Sequence, residues 1–90
     1  MLSALKTTDI LDSFAKAKRS HLPAAFLKAG ADLQGALEPP DCLVVTARVP
    51  GEEERFAITN ALGADDGEIE AAVRAAISWM RSVLLTRGFV

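Results

Sequence analysis

Along the chain the spacing of apolar residues changes twice, and the changes divide it into three parts. In the first part Ile10, Leu11, Phe14 and Ala17 recur at helical spacing and share one face, with Thr7 or Thr8 placed to cap the start. Ser20 and Pro23 interrupt this run. Proline fits the first turn of a helix and not its interior, so Pro23 predicts a second, short helix over Ala24 to Ala29, ended by Gly30 in a left-handed cap.

The stretch from Ala31 to Asp41 contains Gly35, Pro39 and Pro40, whose backbone restrictions argue against a continuing helix or a central strand. It is expected to be a connector, pinned to the core by Leu33 and Leu37. From Cys42 to Val49 the rhythm becomes β-branched and alternating. Leu43, Val45, Ala47 and Val49 fall on the expected core face, and Cys42, Val44, Thr46 and Arg48 on the other. Pro50-Gly51 with Glu52, Glu53 and Glu54 reads as a turn that like charge keeps in water, and Arg55 to Thr59 as the returning strand with Phe56 and Ile58 inward. A two-stranded hairpin is marginal alone, so the helices must cover it or a partner must extend it.

The last part carries the clearest pattern. Asp65 with Glu68 three residues on resembles a capping box, and Gly88 supplies a stop, which predicts a helix from about Asp66 to Arg87. At about 100° per residue, Ile69, Val73, Ala76, Ile77, Met80 and Leu84 form one apolar stripe, widened by Ala72, Trp79 and Val83. The expected fold class is therefore α+β: an N-terminal helical pair, a two-stranded antiparallel β-hairpin and a long C-terminal amphipathic helix, in one small domain spanning residues 1–90.

Composition adds a suspicion about partners. Half of the 90 residues are hydrophobic, yet there are sixteen alanines against five aromatics. A chain of this length buries only roughly 60% of its unfolded surface, so this much apolar side chain suggests that a second copy or another protein covers part of it. The net charge of −2 hides a segregation: residues 1–30 carry +3, residues 31–70 carry −8 and residues 71–90 carry +3. An acidic middle between basic ends suits head-to-middle self-association or a charged partner.

Candidate chemistry is sparse. His21 is the sole histidine and Cys42 the sole cysteine, and neither stands in a spacing that makes a nucleophile and its base. Zinc sites need several such ligands, and the acids around Asp65 and Asp66 lack the alternation of a calcium loop. The six glycines form no phosphate-cradling loop. We therefore expect no enzyme activity, no cofactor and no metal. One cysteine excludes an internal disulfide and points to a reducing compartment. The first residues lack a basic segment followed by an apolar one, and no apolar run is long enough to span a bilayer, so a cytoplasmic protein without membrane contact is expected.

What remains is interaction. Beside the apolar stripe, Ala71, Ala75, Ser78 and Ser82 make a second face of small residues that lets another helix approach closely. Trp79 borders it, Phe89 lies just past the Gly88 cap, and Glu70 stands in i,i+4 relation to Arg74 on the flank. The expected function is a non-enzymatic protein–protein interaction module, a small adaptor or an inhibitor that occludes its partner, acting as a homo-oligomer. The alternative is a nucleic-acid-binding regulator using Lys16, Lys18, Arg19 and His21, which the sequence isoelectric point of about 5.3 disfavours.

Overall fold

The computed structural model describes the backbone of residues 2–88 and the side chains of residues 9–88. Helix α1 (Leu2–His21) and the short α2 (Ala24–Lys28) are followed by strands β1 (Asp32–Glu38), β2 (Cys42–Val49) and β3 (Glu52–Thr59), a 3-10 turn (Ala61–Gly63) and α3 (Asp66–Thr86). The sheet is antiparallel in the order β1-β2-β3. Helix α3 lies over β2 and β3, and α1 lies over β1 and beside α3. Both helices cover the same face of the sheet, and the opposite face carries exposed Gln34, Arg48, Glu53 and Arg55.

The expected two-stranded hairpin is corrected to a three-stranded sheet, because the segment taken for a connector is β1. Its residues alternate after all. Leu33 is fully buried and Leu37 packs against the core from the same side, while Gln34 and Ala36 face out. Pro39 and Pro40 lie beyond the strand's last residue and shape its turn into β2, where they interrupt no ladder. Gly35 is no breaker either. An added Cβ there would stand 2.8–2.9 Å from ring atoms of Phe14, so the glycine is where α1 comes down onto the sheet.

Two further boundaries move. Glu52, Glu53 and Glu54 belong to β3, because Pro50 and Gly51 alone make the turn, with Gly51 at φ +86° in the second corner. The backbone of α1 is helical from Leu2, so Thr7 and Thr8 lie inside it and not at its start; their side chains are outside the described residues. Helix α2 is entered through Pro23 and gives way to Gly30 at φ +87°.

Helix α3 follows its sequence pattern closely. The Asp65 carboxylate accepts the Glu68 N–H at 2.9 Å, one of the orphan donors of the first turn. Ile69, Val73, Ala76, Ile77, Met80 and Leu84 are all buried. They meet Leu43, Val45, Ala47 and Val49 of β2, each fully buried, and Ile10, Phe14 and Ala17 of α1 in one apolar cluster. At the far end of α3, Arg87 donates to the Pro50 carbonyl and pairs with Glu52 at 2.8 Å, tying the helix C-terminus to the β2–β3 turn.

Candidate interaction surface

The outer face of α3 is set by what its inner face buries. With the apolar stripe turned to the sheet, Ala71, Ala75, Ser78 and Ser82 are all exposed, and nothing in the described chain covers them. Ala71, Ala75 and Ser78 form part of a groove of about 620 Å³, together with His21, Arg74, Ile77 and Arg81. His21 ends α1, so the groove runs between α3 and the corner where α1 turns into α2.

Two of the side chains around it have partners on other helices. His21 Nε2 lies 3.1 Å from Glu70 Oε2, so Glu70 pairs across to α1 and not with Arg74 on its own helix, as the i,i+4 spacing suggested. The Arg81 guanidinium sits 5.5 Å from the centre of the Phe26 ring of α2, a cation–π contact. Arg74 and Arg81 are seven residues apart on one flank of α3, and the sequence singled out Arg74 only as the i,i+4 neighbour of Glu70. Their shared groove depends on the end of α1 packing beside α3, which no local pattern reports.

The remaining expected interface residues separate. Ser82 is exposed on the same face but lies outside the groove, with its carbonyl accepting from Thr86 Oγ1. Trp79 packs against the core. Phe89 lies outside the described residues. Leu27 and Leu85 are exposed large apolar side chains, at 50% and 56%. Leu85 continues the spacing of Ala75, Ser78 and Ser82 along α3.

Two members of the basic cluster of the alternative reading have partners within the fold. Lys18 turns to β1, 2.9 Å from Asp32 Oδ1, and His21 turns to Glu70, leaving Lys16 and Arg19 exposed. Cys42 is half-buried at the start of β2 and lines a separate recess with Leu37, Pro39, Pro40 and Leu62, whereas His21 lines the α3 groove. Among the described residues, no group of three or more His, Cys, Asp or Glu side chains is placed to hold a metal ion. No helix among them is long and apolar enough to cross a membrane.

No protein-family model matches the chain, and no curated protein and no solved structure matches it either.

Proposed function

We propose that the chain is a non-enzymatic protein-interaction module, a small adaptor or occluding inhibitor, and that the groove on the outer face of α3 is its docking surface. The observation that carries this reading is the groove itself: a floor of Ala71, Ala75 and Ser78, which lets a partner backbone approach, beside Arg74 and Arg81 on one flank. Charge narrows the partner. An antiparallel two-fold pairing of α3 with itself would set Arg74 of one copy against Arg81 of the other, which like-charge repulsion opposes. An acidic surface fits better, and the segment 31–70 of a second copy, at −8, carries acidic side chains of that kind.

The test is solution mass by light scattering at low and high salt, on the wild type and on Ala75→Glu and Ser78→Arg. The expected result is a mass above the monomer that salt lowers and that either substitution returns to the monomer, since a long charged side chain fills the groove floor. An assembled protein whose mass neither substitution changes would remove the groove from the reading. A wild type that is monomeric at every salt concentration would remove the second copy as its partner.

A further inference from the structure

At the outer edge of the sheet, side chains occupy backbone groups that a further strand would use. Lys18 Nζ of α1 donates to the Leu33 carbonyl at 2.9 Å and lies 2.9 Å from Asp32 Oδ1. The same carboxylate oxygen accepts the Leu33 N–H at 2.8 Å. In an antiparallel ladder the N–H and C=O of one residue turn to the same side, and successive residues turn to opposite sides. Leu33, satisfied by side chains, therefore belongs to the outward set, with Gly35 and Leu37, while Gln34 and Ala36 bond to β2. The other end of the sheet gives the same parity. The two-residue turn Pro50-Gly51 is closed by the pair Val49–Glu52, so Val49, Ala47, Val45 and Leu43 face β3, and Thr46 and Val44 face β1.

We propose that the edge of β1 is a strand-pairing surface for a second copy of this chain and that the Lys18–Asp32 clamp holds it shut. The register identifies the occupant. A two-fold antiparallel pairing centred on Gly35 sets Gly35 against Gly35 and Leu33 of each copy against Leu37 of the other. Leu33 is already fully buried on the apolar side of the sheet, and Leu37, partly buried on that same side, is the side chain that the pairing covers. With the clamp in place both Leu33–Leu37 rungs lose their hydrogen bonds and the Gly35 rung alone is left, too little to order two strands. Asp32 opposes the pairing a second time, because the same register places it opposite Glu38 of the other copy. The clamp thus does for β1 what charged residues do for many exposed edges. On the opposite edge the outward set of β3 is Glu53, Arg55, Ala57 and Thr59, where charge itself does that work.

This inference is independent of the α3 groove, and its test reads a different surface. Lys18→Met keeps the side-chain stem and frees the Leu33 carbonyl; Asp32→Val frees the Leu33 N–H and removes the acid. The double variant is expected to reach twice the wild-type solution mass as concentration rises, with new hydrogen-exchange protection at the amides of Gly35 and Leu37. Adding Leu37→Pro, which deletes an outward N–H that β2 does not use, returns the mass to the wild-type value. If the double variant does not fold, Lys18→Met alone is expected to show the same dimer at higher concentration. A variant with the wild-type circular dichroism spectrum that keeps the wild-type mass overturns the proposal, as does a higher mass that leaves both amides unprotected. Protection of both amides in the wild type would overturn the clamp's role, because the edge would then be occupied with the clamp in place.

Discussion

The two long helices lie on the same face of one sheet and are held there by different means. Helix α3 is fixed by distributed burial: six residues along its length are removed from water against β2, β3 and α1. Helix α1 buries Ile10, Phe14 and Ala17, makes its closest approach where the Phe14 ring rests on Gly35, and is fastened by polar ties. Ser13 Oγ donates to Asp66 at 2.6 Å, Lys18 reaches β1, and His21 meets Glu70. A helix held by a continuous stripe tolerates the loss of any one polar contact. Where the Phe14 ring rests on Gly35, the seating of α1 depends in addition on the absence of a single Cβ.

The largest break falls on the distributed side. Met80 is fully buried in the C-terminal half of the α3 stripe, so Met80→Ala is expected to lower unfolding stability by about 2–5 kcal/mol through lost transfer energy and the cavity left behind. Urea unfolding followed by Trp79 fluorescence measures it. Because the stripe is shared by the whole core, the loss is expected to be global, with amide exchange accelerated in α1, the sheet and α3 alike. A loss confined to α3 would show that the two helices are not one cooperative unit.

The second break is local to α1. Gly35→Ala places a Cβ within 3 Å of the Phe14 ring, and the overpacking is expected to cost about 1–3 kcal/mol. The collision names its own control. In a double-mutant cycle, Phe14→Leu should recover part of the cost in the Gly35→Ala background while destabilising the wild type. Additive effects would mean that Gly35 is needed for β1's backbone and not for the seating of α1.

These contrasts also explain what the sequence made legible. The α3 stripe, its Asp65 cap and the core face of β2 were readable because each is a local periodicity, and burial followed that periodicity except at Val44, which stands on the opposite face of β2 and is buried as well. β1 was not readable in the same way, because Gly35 and the prolines have local meanings that point to a connector. The true reason for Gly35 is a ring twenty-one residues earlier in the chain. The groove was half legible. Ala71, Ala75 and Ser78 stand at helical spacing on one helix, but Arg81 acquires its place from Phe26, and His21 its partner from Glu70, only once the helices are packed. Lys18 reads as one member of a basic run, whereas the fold assigns it to the edge of β1.

The smallest effect probes the polar ties, and its sign follows from Asp32. Burial raises the Asp32 pKa, but the hydrogen bonds from Lys18 and the Leu33 N–H, with the charges of Lys18 and Arg48, outweigh it and hold the carboxyl below its ordinary value of 3.8. A depressed carboxyl pKa stabilises the folded state above the unfolded-state value and loses that contribution as pH falls through the folded one. Wild type and Asp32→Asn should therefore differ most from about pH 5 up to neutrality, with the wild type the more stable, and converge as the solution becomes acidic enough to protonate Asp32 in the native state. The side chain is 48% exposed, so solvent screens the pair and the gap is expected to be small and to narrow further in high salt. Urea midpoints across this range measure it. A gap that stayed constant down to pH 2 would mean that Asp32 acts through its hydrogen bond to Leu33, which Asn can imitate only in part, and that the charge on Lys18 contributes nothing to seating α1.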